Sequence, residues 1–201
     1  MRIGITINEV LRDFIGQLKY TYDKYIGPSN IKENDVTNFN LIEFFPFENI
    51  KSFNNFLYLE ACLEVFGHAD QMSDGLMNRF NQFLMEIKDE EKHSIELISR
   101  EVDKSIPSTL FFLSKTSCKA ANIRFVTTYK EKWDNVDVLI TANPQTLESK
   151  PSGKVSVKVK TSYNKDVPSD YEIESILDFI KDADLRDKIL NTKITNYEEI
   201  N

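Results

Sequence analysis

Hydrophobic and polar positions along the chain change period several times, and each change marks an element. Ile3, Ile5 and Ile7 form a short apolar run with Gly4 and Thr6 between them, which has the length and β-branched content of a buried strand. From Val10 the period turns helical. Val10, Leu11, Phe14, Ile15, Leu18, Tyr22 and Ile26 share one face until Gly27-Pro28 stops it. Residues 29–40 are polar and irregular and read as a loop, and Leu41–Phe47 is dense in phenylalanine. Asn49 can cap a helix over 50–66 that carries Phe53, Phe56, Leu57, Leu59, Leu63 and Phe66 and ends at Gly67. A further helix is predicted over 74–89, with Lys88–Lys92 as its solvated end or a turn.

A second strand is predicted at Ser94–Ser99, then a helix near Pro107 carrying Leu110, Phe111, Ser114 and Cys118. Ile123–Val126 and Val136–Ile140 read as strands, and Asn143-Pro144 breaks the chain after them. In a fifth strand, Val155, Val157 and Val159 alternate with Lys154, Ser156, Lys158 and Lys160, which predicts one buried and one wet face. The lysine row reads as a protected sheet edge, with a phosphate-binding stripe as the other reading. Ser169-Asp-Tyr-Glu172 reads as a capping box ahead of a helix through Ile173, Ile176, Leu177 and Ile180, and a short helix is predicted near 184–190. Strands alternating with helices predict an α/β fold: a mostly parallel, Rossmann-like sheet with helices on both faces. Residues 1–18 and 90–201 form the core of this expectation, and 19–89 a small helical insertion.

Composition narrows the class. The 201 residues, 41% hydrophobic and 28% charged, suit one globular domain with an insertion. A formal net charge of −7 argues against broad nucleic-acid binding. No apolar run reaches membrane-spanning length, and the immediate strand pattern leads us to expect no leader. Cys62 and Cys118 are too few for a disulfide framework and suit free thiols in a reducing, intracellular setting. His68 and His93 are too few for a histidine-based metal site.

Met1–Phe14 has the shape of a strand followed by Val10-Leu11-Arg12-Asp13-Phe14. It resembles the first motif of haloacid dehalogenase-like phosphohydrolases, strand then Asp-x-Asp-Gly-Val, most closely in the small deoxyribonucleotidase branch. A second frame, Leu139-Ile140-Thr141-Ala142-Asn143-Pro144, resembles that branch's hydrophobic-Ile-Asp-Asp-Asn-Pro. Ser162-Tyr163-Asn164-Lys165 resembles its later Tyr-Asn segment. The resemblance implies a helical cap at the insertion and a site at the carboxyl ends of the strands. In that alignment Thr6 holds the nucleophile position, Asn8 the acid/base position, Glu9 the glycine, and Thr141 and Ala142 the metal-binding acids. Ser99 and Lys132, with Lys130 as the alternative, take the phosphate-binding places. Serine and lysine are common, so the two frames carry the specificity.

Phosphoryl transfer of that kind needs a carboxylate nucleophile, a second carboxyl for proton transfer and Mg²⁺ held by carboxylate oxygens. Thr6, Asn8, Thr141 and Ala142 supply none of these. The sequence therefore predicts a non-catalytic protein with neither cofactor nor metal. Its leading expected role is a structural or assembly component with other protein subunits as partners. Similarity to nucleotidase-like proteins of tailed bacteriophages suggests a virion component. A metal-free nucleotide- or phosphate-binding module under the cap is the alternative. An enzyme using Glu9, Asp13 or Asp137 is the third reading.

Overall fold

The computed structural model of the chain describes residues 1–29, 31–32, 35–89 and 92–192. Its strands are β1 (Arg2–Thr6), β2 (Ser94–Ser99), β3 (Ile123–Phe125), β4 (Val138–Thr141), β5 (Val155–Val159) and β6 (Tyr171–Ile173). Its helices are α1 (Phe14–Tyr25), α2 (Ile50–Asn55), α3 (Leu76–Asp89), α4 (Ser105–Lys115), α5 (Pro144–Glu148), α6 (Ile176–Lys181) and α7 (Ala183–Leu190). The strands form one six-stranded sheet in the order β3-β2-β1-β4-β5-β6, parallel throughout.

Register explains the layers. Ile3 pairs with Ile95 and Val138, and Ile5 with Leu97 and Ile140, so these side chains share one face. That face is covered by Leu76, Phe80 and Phe83 of α3, Phe112 of α4, Phe179 of α6 and Ile189 of α7. The opposite face carries Ile98 and Leu139 and packs Val126, Trp133 and Val136. A 3₁₀ turn at Lys130–Trp133 and α5 cover it, joined by a hydrogen bond from Trp133 Nε1 to Thr146 O at 2.8 Å. Here β1 needs a glycine: a Cβ on Gly4 would lie 2.8 Å from the side chains of Ile98 and Leu139.

The expected insertion divides between two cores. Phe14, Leu18 and Tyr22 of α1 join Phe45, Phe53, Phe56, Phe66 and others in a second core over the mouth of the sheet, whereas α3 packs on the sheet itself. Phe44–Phe47 packs inside this cap. Phe45 is fully buried, and the Phe47 ring lies 5.5 Å from Tyr22, 5.5 Å from Phe53 and 5.1 Å from Phe56.

Four expectations are corrected. The first helix begins at Phe14, not Val10, because residues 7–12 fold into a hydrogen-bonded turn in which Leu11 N and Arg12 N both donate to Ile7 O. The helix over 50–66 is interrupted: Asn49 caps α2 as expected, but two π-helical turns follow, Phe56–Glu60 and Leu63–Gly67. Ser169–Glu172 does not cap a helix, since Tyr171–Ile173 pairs with β5 as the outer strand; the capping box is formed by Ser175 and Asp178. The lysine row is not a sheet edge. β6 lies outside β5, and Lys158 is fully buried, bonded to Glu172 Oε1 at 2.7 Å and to Val167 O at 2.7 Å. The tail from 193 to 201 lies outside the described residues, as do residues 90–91 of the charged run.

Candidate functional site

Parallel strands leave their carboxyl ends open to a ligand, and β1, β2 and β4 all end at the same mouth. Thr6, at the end of β1, donates from Oγ1 to Thr141 Oγ1 at the end of β4 (3.0 Å), and Thr141 Oγ1 accepts Asn143 N (3.1 Å). Both threonines are buried. Asn143 and Pro144 then start α5: Asn143 Oδ1 accepts from Thr146 N at 2.8 Å, and the proline occupies the first turn. The Asn-Pro frame is thus a helix cap. Ala142 contributes its carbonyl, which accepts from Asn164 Nδ2 at 2.8 Å, and Asn164 also donates to Val159 O at 2.8 Å. One amide thereby fastens the ends of β4 and β5 together.

Glu9 takes a left-handed backbone, φ 59°, which costs a non-glycine residue roughly 1 kcal/mol. Its carboxylate offsets that cost. Oε1 accepts from Phe14 N at 2.9 Å and Ile15 N at 2.8 Å, at the positive end of α1. Asp13 caps the same helix by accepting from Gly16 N at 2.9 Å; burial raises its pKa, that bond lowers it and Asp70 raises it further. Asp137, the other acid considered for relocated chemistry, accepts from Arg2 N at 2.8 Å near the amino end of the sheet. Tyr163, buried in the cavity lining, has its pKa pushed well above the ordinary value by burial and by Glu9.

Arg12 organises the centre. Its side chain is completely buried, and Nη1 donates to Phe66 O at 3.0 Å and Thr109 Oγ1 at 2.7 Å. Nη2 pairs with Glu101, which also accepts from Thr109. Nε donates to Asn8 Oδ1 at 2.9 Å and Nη2 donates to it as well. Burial pulls the guanidinium pKa down, and Glu101 pushes it back up. A guanidinium only donates, so Asn8 must turn its oxygen to Arg12 and keep its Nδ2 for the cavity.

That cavity has a volume of about 410 Å³, within the range of small-molecule sites. The sheet contributes Thr6, Asn8, Ser99 and Lys132, and the cap contributes Phe39, Leu41, Phe53 and Tyr58. Ser99 is 3% exposed and Lys132 6%. Lys130, the alternative lysine, is exposed and is not among the residues lining the cavity. The Lys132 ammonium makes no hydrogen bond or ion pair among the described residues and lies 5.5 Å from the Tyr129 ring centroid. Burial lowers its pKa to about 8; Glu101 opposes the shift and Arg100 adds to it. Arg100 lines the same cavity, with its guanidinium 4.5 Å from the centroid of the same ring and Nη1 donating to Tyr129 Oη at 3.2 Å.

The residues do not fit the Mg²⁺ that the fold's hydrolases imply. A hard cation takes several oxygen ligands, some of them anionic. Here the two threonine hydroxyls bond each other, the Asn8 oxygen is held by a guanidinium, and Lys132 and Arg100 add positive charge. Among the described residues no group of three or more His, Cys, Asp or Glu is placed to hold a metal. The cavity brings together Thr6, Asn8, Ser99 and Lys132, which the sequence singles out, with Arg100 and Tyr129, which it does not, as it does not Arg12 and Glu101. The one available signal was Arg12, the lone cation between Arg2 and Lys19.

No protein-family model matches the chain, and no curated protein does. Solved structures do match. One is a haloacid dehalogenase-like hydrolase from Bacteroides fragilis, with a TM-score of 0.57, 13% identity, and coverage of 87% of this chain and 97% of that one. Another, from Burkholderia xenovorans LB400 and described in the same terms, has a TM-score of 0.58, 10% identity, and coverage of 92% and 96%. The chain has the fold of haloacid dehalogenase-like hydrolases: a parallel α/β, Rossmann-like sheet.

Proposed function

We propose that this chain is a non-catalytic protein of haloacid dehalogenase-like fold that holds a small phosphorylated ligand, without metal, between the sheet and its cap. The observation that carries this reading is the inventory of the cavity: Lys132, Arg100, Asn8 and Ser99, all carrying hydrogen-bond donors, line it, and Glu9, the one carboxylate among its described lining residues, accepts at a helix terminus through Oε1. Such a set complements a phosphate dianion and offers no nucleophilic carboxylate. The aromatic cap side chains suit an organic remainder on the ligand. Calorimetry with inorganic phosphate and with a phosphomonoester, in EDTA, tests it. Binding should survive EDTA and weaken about 10- to 100-fold in Lys132→Ala, the loss of one charge-assisted hydrogen bond. No binding, or binding only with Mg²⁺, would overturn the reading.

An assembly role, including that of a virion component, is a second reading favoured by a surface feature. Leu63 and Phe111 are 47% and 43% exposed and converge beside Gly67, where a Cβ would lie 2.7 Å and 3.1 Å from their side chains. Leu59 and Leu110 are exposed as well. Sedimentation of the wild type against Leu63→Glu/Phe111→Glu tests it: a self-associating wild type and a monomeric variant support this role, and a monomer in both removes its basis.

A further inference from the structure

A lysine needs three things to act as a nucleophile toward a carbonyl: an uncharged fraction at neutral pH, freedom from hydrogen-bonding partners, and space beside it for the electrophile. Lys132 has space and freedom. It is 6% exposed, makes no hydrogen bond or ion pair among the described residues, and lines a cavity of about 410 Å³. Its neighbours serve the rest of the reaction. Arg100 lines the same wall and can hold an anionic group on the incoming molecule, and the Ser99 hydroxyl in the same lining can pass a proton.

We propose that Lys132 is an imine-forming lysine that takes small anionic aldehydes or ketones into the cavity. The inference shares with the ligand-binding reading only the premise that the cavity admits small anions. The uncharged Nζ adds to the carbonyl carbon, and the carbonyl oxygen takes up a proton, giving a carbinolamine. Loss of that oxygen as water leaves the imine, protonated on nitrogen, with no oxidant or reductant required. Burial favours the step: it disfavours a proton on the free amine, the Glu101 carboxylate opposes that, and the Arg100 guanidinium adds to it. Burial and a neighbouring cation are also what activate lysines elsewhere. With its pKa at about 8, Lys132 is roughly one-tenth uncharged at pH 7, whereas an ordinary lysine near 10.4 is about one part in 2,500 uncharged. The lower basicity also lowers intrinsic nucleophilicity, so the net advantage is smaller than that ratio.

Lys130, exposed and two residues away, is an internal standard. The full chain is treated at pH 7 with glyoxylate and sodium cyanoborohydride, which reduces any imine to a stable secondary amine, and the modified positions are read by peptide mass spectrometry. Lys132 should be modified at least about tenfold faster than Lys130. With uncharged propionaldehyde in place of glyoxylate the preference should shrink, and Arg100→Ala should abolish the difference between the two aldehydes. Modification of Lys132 no faster than Lys130 would overturn the proposal. Phosphate binding, measured separately, distinguishes the two readings. Equal labelling with intact phosphate binding removes only the imine chemistry, selective labelling without phosphate binding supports it and removes only the phosphate reading, and failure of both removes the cavity as a ligand site.

Discussion

Thr6 Oγ1 and Thr141 Oγ1 lie 3.0 Å apart, joining the ends of β1 and β4 through a neutral hydrogen bond. A carboxylate at each position would face its like charge at that range and force one pKa upward. In Thr6→Asp/Thr141→Asp the raised folded pKa means that the folded state binds more protons between the unfolded value near 3.9 and the raised one, so stability falls as pH rises through that window. We expect the double variant to be less stable at pH 8 than at pH 5 by on the order of 1–3 kcal/mol relative to wild type, and millimolar Mg²⁺ to recover part of the loss. Urea melts at both pH values, with and without Mg²⁺, check this; a flat pH response would show that the two positions do not face each other.

The parent protein should not turn over p-nitrophenyl phosphate, and Thr6→Asp alone should not change that. Nucleophile, acid/base and metal act as a unit, so restoring one part recovers little of an acceleration on the order of a million-fold or more. Turnover that co-purifies with the protein and disappears in Ser99→Ala would show that the site works by other residues.

Much of this architecture was legible because parallel strands write themselves as β-branched runs. Ile3–Ile7 and Val138–Thr141 are buried on both faces, so the apolar pattern is continuous. The Asn143-Pro144 frame was legible because a cap and a first-turn proline are local chemistry. Lys158 was misread because alternation was equated with water. Its ammonium is instead dry and answered by Glu172 and a carbonyl, contacts made by a stretch that returns after the strand has ended. Ser169–Glu172 has the spacing of a capping box, but nothing local shows that Tyr171 pairs with Val157. The partners of Arg12 were illegible for the same reason: Phe66, Glu101 and Thr109 reach it from distant parts of the chain.

Arg12→Ala should destabilise the fold by about 3–5 kcal/mol, because Glu101 would be left buried and unpaired. Arg12→Met/Glu101→Leu should lose less than either single substitution, since apolar groups of similar volume carry no desolvation debt. A double-mutant cycle by chemical denaturation checks both. Additive losses would mean that the pair is not coupled.

Glu9→Ala should be worse than Glu9→Gly. Alanine keeps the left-handed strain and loses both bonds to the start of α1, whereas glycine loses the bonds but relieves the strain. The expected gap is about 1 kcal/mol, read from the difference in denaturation midpoints. Alanine equal to or better than glycine would refute the assignment of strain.

Lys132 should leave a signature in the pH dependence of stability. Arg100, Glu101 and Tyr129 face it. Its folded pKa of about 8 lies below the unfolded value, so between about 8 and 10.4 the unfolded chain binds more protons and stability rises with pH. Lys132→Met lacks this response. Relative to that variant, the wild type should gain on the order of 3 kcal/mol between pH 7 and 10.5. Parallel pH profiles for the two proteins would mean that the amine keeps its ordinary basicity.

On the non-catalytic reading proposed above, Arg12 also governs how this pocket could acquire a phosphatase's chemistry. An aspartate at position 8 would meet the guanidinium now bonded to the Asn8 oxygen and be held ionised, when a general acid must carry its proton near neutral pH. Removing Arg12 to free that aspartate exposes the buried Glu101 charge instead. Either single step passes through a protein that is inert or unstable, and only a concerted change at positions 8, 12 and 101, together with the carboxylates on β1 and β4, avoids both. The buried guanidinium therefore works as a ratchet: drift outside the pocket remains free, while the path to turnover has to cross a valley.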